Sequence, residues 1–275
     1  MGPERASAGH VGWMARELPA PVDVTPRFLE LYERPPRVAV PVLLVAGIFT
    51  QYYPGYLRRV RRALRAAELP IDTEQTLAAN ARTIRDRVLL ERRPVVLLGQ
   101  SKGPLDIHAA LSLHPEIVPK VRALVSVQAP FGGTPLASDA EAAPLARGLI
   151  RGVVGGLLRG SARAYFEMGY AQRREFLARH PPLADVPTVA LASVTARAGL
   201  FLEKTRRYIT ETYGAQNDGF VPLQDAHIPG ARLVRLDGIE RLHRPALAAP
   251  SGALRTGADC AGARRAGGGV TTFCT

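Results

Sequence analysis

Residues Gly99-Gln100-Ser101-Lys102-Gly103 form a G-x-S-x-G pentapeptide between a buried apolar run and a helical pattern. A serine flanked in this way sits in a tight strand-to-helix bend, with its hydroxyl raised above the sheet edge. Such a strained backbone costs on the order of 1–3 kcal/mol and persists mostly at working sites. The context fits the bend. Upstream, Pro94-Val95-Val96-Leu97-Leu98 reads as a strand buried on both faces. Downstream, Leu105, Ala109 and Leu113 recur at helical spacing, and Pro104 occupies the first turn, where no N–H is needed. A serine so placed can attack an acyl carbonyl, given a base, an acid that orients the base, and donors for the oxyanion.

Where this elbow carries a triad, the acid follows the serine in the chain and the histidine comes last. Asn217-Asp218-Gly219-Phe220-Val221-Pro222 is a turn sequence after an apolar helix, and Asp218 is the expected acid. Asp225, Asp237 and Glu240 are alternatives, and a plain Asp-Gly turn would account for the same residues without chemistry. Of six histidines, only His227 and His243 follow Asp218. His243 comes after the final expected strand and is taken as the base, whereas His227 precedes that strand. His10 is too early, His108 and His114 ride the elbow helix, and His180 precedes Pro181. The oxyanion donors are expected to be the backbone amides of Lys102 and of Ile48 in the turn Gly47-Ile48-Phe49, with Phe49 in reserve. Lys102 would act through its amide alone, its ammonium being read as a solvated surface charge.

The elements that must hold these residues alternate. Strands are expected at Val38 to Ala46, Leu69 to Asp72, Pro94 to Leu98, Val121 to Val127, Val186 to Ala192 and Arg232 to Leu236. Helices are expected at Pro54 to Ala67, Glu74 to Arg92, after Ser101, and at Leu200 to Tyr213. This order predicts an α/β fold with a mainly parallel, doubly wound sheet and right-handed crossovers. The alternation breaks between about Phe131 and Asp185. There Leu145, Leu149, Ile150, Val153, Val154, Leu157 and Leu158 form an apolar stripe with arginines between. It reads either as a helix packed over the sheet edge or as a mobile lid whose apolar face covers an acyl pocket or touches a lipid surface. Residues 1–36 are Pro-rich, with a short helix near Phe28 to Tyr32, and read as an arm laid over the 37–247 domain. Residues 248–275 lack periodicity and read as an irregular tail.

Composition narrows the class. A chain of 275 residues, 47% of them hydrophobic, can bury one α/β core. No run approaches the roughly 18 apolar residues of a membrane span, and the N-terminal residues lack a signal core, so a cytoplasmic setting is expected. Cys260 and Cys274 lie near the C-terminal end, and their spacing suits neither a core staple nor a metal site. The net charge of +12 is carried almost wholly by arginines scattered among alanines, with few aromatics interleaved. That pattern argues against a nucleic-acid surface.

Taken together, these stretches resemble the bacterial lipases and esterases of the α/β-hydrolase superfamily, over about residues 40–245. Val42-Leu43-Leu44-Val45-Ala46-Gly47-Ile48-Phe49 is similar to their first strand and His-Gly segment, with Ala46 in the histidine's place. Gln128-Ala129-Pro130-Phe131-Gly132-Gly133-Thr134-Pro135-Leu136-Ala137 resembles the loop after their next strand. The Asn217 to Pro222 segment, followed by Pro229-Gly230-Ala231, resembles their acid loop and final strand. The likeness departs near Glu240-Arg241, where an Asp-His or similar pair usually stands and His243 here comes two residues later. The resemblance implies an α/β-hydrolase fold with a helical cap at about 131–185, and hydrolysis of a small-molecule or lipid ester through an acyl-enzyme on Ser101, without a cofactor or metal. A hydrolase fold lacking a working base, a lipid-surface binding protein that touches membranes through the cap, and an acyltransferase or thioesterase using the same residues are the alternatives.

Overall fold

A computed structural model describes residues 11–17, 20–34, 39–50, 55, 57–157 and 160–238 of the chain. Seven strands are assigned: β1 (Val22–Asp23), β2 (Val42–Val45), β3 (Ala67–Glu68), β4 (Val95–Gln100), β5 (Val121–Val127), β6 (Thr188–Val194) and β7 (Arg232–Asp237). They form one sheet in the order β1-β7-β6-β5-β4-β2-β3. Every pairing is parallel. Alternate residues of β2 and β4 face opposite sides, as the period-2 geometry of a strand requires. Leu43, Val45, Val95 and Leu97 enter one apolar cluster, and Val42, Leu44 and Leu98 enter another. A sheet covered on both faces explains why its strands read as unbroken apolar runs.

Helices close both faces. On one side lie α4 (Leu77–Leu89) and α5 (Gly103–Leu113), which bury Ala81, Ile84, Val88, Leu105 and Ile107. Thr76 starts α4 by accepting the Ala79 amide on its side chain. On the other side, α3 (Arg58–Leu64) buries Val60, and α2 (Thr25–Glu33) packs Phe28 against β6 and β7. Four helices, α6 (Pro135–Ala142), α7 (Pro144–Ile150), α8 (Ala162–Phe166) and α9 (Tyr170–Arg179), stand between β5 and β6, and α10 (Leu200–Tyr213) follows β6. Before α2 comes the short α1 (Trp13–Glu17). Among the described residues no helix is long and apolar enough to cross a membrane, and no group of side chains could hold a metal ion.

Three expectations need revision. The strand expected at Leu69 to Asp72 is instead Ala67–Glu68. The reason is the close of α3: Arg65 turns left-handed at φ 51°, so the chain meets β2 at once, and Pro70 then limits further pairing. The N-terminal segment does more than lie over the domain. Val22 and Asp23 add a strand to the edge of β7, and Trp13 and Met14 are buried. The apolar stripe is not one packed face. Residues Arg151–Leu157 continue α7 as a π-helix at a glycine-rich stretch. Leu145, Leu149 and Val153, four residues apart, stand 91%, 69% and 40% exposed, while Val154 is buried.

Candidate active site

The strand order reverses between β2 and β4: β3 lies outside β2, and the later strands run the other way from β4. In open α/β sheets a crevice forms outside the carboxyl ends of the strands at such a switch point. Ser101 and the Gly47-Ile48-Phe49 turn meet there. Ser101 lies between β4 and α5 at φ 61° and is buried to 5% exposure. Its amide donates to the Val127 carbonyl at 2.9 Å, extending the β4–β5 ladder and pinning the elbow.

The glycines around it are required by contact rather than by turn type alone. A Cβ on Gly99 would lie 2.5 Å from the Pro104 nitrogen, and one on Gly103 would lie 2.3 Å from the Val45 carbonyl oxygen. A Cβ on Gly47 would lie 2.4 Å from the Ser101 Cβ. The turn after β2 is therefore seated directly on Ser101. Among the described residues, four non-glycine residues have positive φ, and Phe49 (64°), Ser101 and Gln128 (50°) follow β2, β4 and β5 at this same rim.

The Phe49 amide is engaged. It donates at 2.8 Å to Oε1 of Glu74, a fully buried carboxylate that also accepts from the Thr73 hydroxyl at 2.9 Å. That removes Phe49 as reserve oxyanion donor and fixes the turn carrying Ile48. The backbone of Glu74 receives the Ser161 amide at 2.8 Å, which ties the same residue to the segment entering α8.

Lys102 corrects an expectation. Its side chain is wholly buried, with Nζ 2.6 Å from Asp106 Oδ1 one turn along α5. Sequence spacing shows an i,i+4 pair but not its burial, because a surface pair looks the same. Burial pushes the Asp106 carboxyl up to about 6, although Lys102 pulls it back.

Asp218 is buried on the loop after α10. Its Oδ1 accepts the amides of Phe220 and Val221 at 2.9 and 2.8 Å. Asn217 shapes the turn, accepting from Gly219, whose φ of 99° suits glycine. The Thr195 amide donates to the Asn217 carbonyl at 3.0 Å, so the loop sits at the carboxyl end of β6, on the same rim as Ser101.

Of the alternatives, Asp225 is committed elsewhere. It accepts from the Gly12 amide and the Tyr170 hydroxyl, both at 2.8 Å, and burial pushes it up to about 7. His227 precedes β7, and among the described residues its Nε2 is buried without a partner. His108 lies in the core against Phe131 and Phe176, lowered to about 3 chiefly by burial. His243 and Glu240 lie outside the described residues, as do Cys260, Cys274 and the 248–275 segment.

Arg173 was not anticipated. It is fully buried, donates from Nε to the Phe131 carbonyl at 2.9 Å and stacks on the Phe131 and Phe176 rings. It buttresses the loop after β5. A groove of about 590 Å³ lies between α4, α5, α6, α8 and α9, lined by Leu77, Phe166, Phe176 and others, and Ser101 is not among its walls.

No protein-family model and no curated protein matches the chain. Solved structures do. A carboxyl esterase from a metagenome superposes with a TM-score of 0.65 at 23% identity, over 80% of this chain and 66% of its own. The mature lipase of Bacillus licheniformis gives 0.60 at 19% identity, over 74% of this chain and 86% of its own. The Staphylococcus hyicus lipase gives 0.57 at 12%, over 75% and 89%. This chain thus spans just under two thirds of the metagenomic esterase and most of the two lipases. The likeness is one of architecture, and the all-parallel seven-stranded sheet of this chain has the α/β-hydrolase fold.

Proposed function

We propose that the chain hydrolyses carboxylic esters through an acyl-enzyme on Ser101. The observation that carries this reading is the strained Ser101 elbow seated under the Gly47-Ile48-Phe49 turn. Ser101 attacks the ester carbonyl, and His243 takes its proton and returns it to the leaving alcohol. Asp218, held by two backbone amides, orients the imidazole. The amides of Ile48 and Lys102 receive the oxyanion. Chain reach supports the choice of His243. Gly238 donates to the Val194 carbonyl at 2.8 Å, so the chain leaves β7 beside β6. Five more residues span up to about 17 Å. Parallel strands two places apart, as β4 and β6 are, lie roughly 10 Å from each other, a gap that an imidazole and two short side chains can bridge. The esterase and lipase likeness supports ester hydrolysis as the class.

The test is direct: purified protein is exposed to a fluorophosphonate, and the labelled residue is identified. Label on Ser101, with p-nitrophenyl butyrate turnover abolished in step, is expected. Active protein labelled elsewhere would overturn the assignment. A lipid ester presented at an interface is favoured over a soluble one by the exposed ridge Leu145, Leu149 and Val153 beside Arg147 and Arg151. Replacing the three apolar residues by serine should then lower activity on emulsified long-chain esters at least fivefold more than on p-nitrophenyl acetate.

A further inference from the structure

We propose that the buried Lys102–Asp106 ion pair is a positioning device for the oxyanion hole, holding the Lys102 amide in its donating geometry. The inference rests on the ester-hydrolase reading above and adds residues to it. Lys102 is held at both ends. Its carbonyl accepts the amides of Leu105 and Asp106 at 2.9 and 3.2 Å, and its side-chain tip meets Asp106 Oδ1 at 2.6 Å. Its backbone takes helical angles, φ −69° and ψ −25°, immediately after the left-handed Ser101. With carbonyl and ammonium both fixed, the peptide plane joining Ser101 to Lys102 has little freedom left. A donor displaced by about 1 Å from a developing oxyanion loses about 10²-fold in rate.

Stability gives no reason for the pair. Both side chains are essentially without solvent contact, at 0% and 1% exposure. Two charges withdrawn from water repay their desolvation poorly, and well-packed apolar residues of similar volume commonly match or exceed such a pair in stability. The packing around it is charged but not redundant. Asn80 approaches Asp106 from α4, and Glu167, just after α8, and Arg173 of α9 act on the site electrostatically. From β2, the Val45 carbonyl presses against Gly103. Among the described residues, Lys102 alone is both bonded to Asp106 and adjacent to Ser101.

The experiment replaces the pair together, as Lys102→Met/Asp106→Leu, and compares Tm, kcat and KM on p-nitrophenyl butyrate with the wild-type protein. The expected result is an equal or higher Tm, an unchanged KM within about twofold, and kcat lower by about 10–100-fold at pH 7.5. A second readout separates positioning from packing. Asp106 takes a proton as pH falls through about 6, and the wild-type pair weakens with it. The ratio of wild-type to variant kcat should therefore shrink toward one between pH 7.5 and pH 5, with any histidine titration common to both proteins cancelling. If the apolar pair fails to fold, Lys102→Gln/Asp106→Asn keeps volume and a hydrogen bond without charge, and the same comparison is read from it. A folded variant with kcat within twofold of wild type, or a ratio constant with pH, overturns the proposal and leaves the hydrolase reading intact. A wild-type protein that neither turns over esters nor labels at Ser101 overturns both.

Discussion

Ser101 is defined by its position. Its backbone is left-handed, glycines stand on both sides of the bend, and the Gly47 turn after β2 presses against its Cβ. Ser101→Ala should retain the wild-type Tm within about 2 °C while kcat falls by on the order of 10⁶, the loss seen when a triad nucleophile is removed from a comparable enzyme. Glu74 invites a second test. It holds the amide next to Ile48, and neither helical periodicity nor turn chemistry marks it, because its partner Phe49 is twenty-five residues away in sequence. Glu74→Leu should lower kcat about 10–100-fold by releasing the oxyanion turn. A steady-state assay showing kcat within twofold of wild type would leave Glu74 a structural group only. The local geometry was thus legible where one short motif carries it, in the bend at Ser101, the Gly47 turn and the Asp218 loop. It was illegible where burial decides the role, as at Glu74, Arg173 and the Lys102 ammonium.

At the scale of elements, legibility followed the strength of the local pattern. Val121–Val127 and Leu200–Tyr213 occupy the expected bounds because each is a continuous period flanked by breakers. β1 has no local signal at all: two residues become a strand only because β7 offers an edge. The glycines divide in the same way. Those of the elbow stand against backbone, whereas nothing lies within 4 Å of a Cβ placed on Gly148 in α7. Gly148→Ala should therefore raise stability by roughly 0.5–1 kcal/mol. Gly103→Ala should be poorly folded, since the Val45 carbonyl cannot yield. Thermal denaturation of the two variants side by side checks both.

At the scale of the whole molecule, Asp225 joins three remote parts of the chain. It binds Gly12 and Tyr170 through its carboxylate and Gly132 through its carbonyl. Its folded pKa, about 7, lies above that of an unfolded aspartate, with desolvation the largest cause. The sign follows: ionising the group costs more in the folded state, so its contribution is fully present below about pH 4 and lost as pH rises through 7. Asp106 contributes with the same sign over a lower range. Tm should fall from pH 5 to pH 8, and Asp225→Asn, which keeps the shape, should flatten part of that slope. An unchanged slope in the variant would mean that this carboxylate does not set it.

The edge strand β1 also has a consequence in time. Val22 pairs with Arg232, and the Gly12 amide reaches Asp225, across more than two hundred residues. During synthesis the segment carrying β1 emerges well before β7 and must wait for it before it can dock, and long-range parallel pairing is slow. The chain's one tryptophan, Trp13, rides on that segment and donates to the Gly132 carbonyl at 2.8 Å. Its indole is thus a clock for the closing step: on refolding, tryptophan fluorescence should reach its native value after the far-ultraviolet dichroism of the helices has already done so.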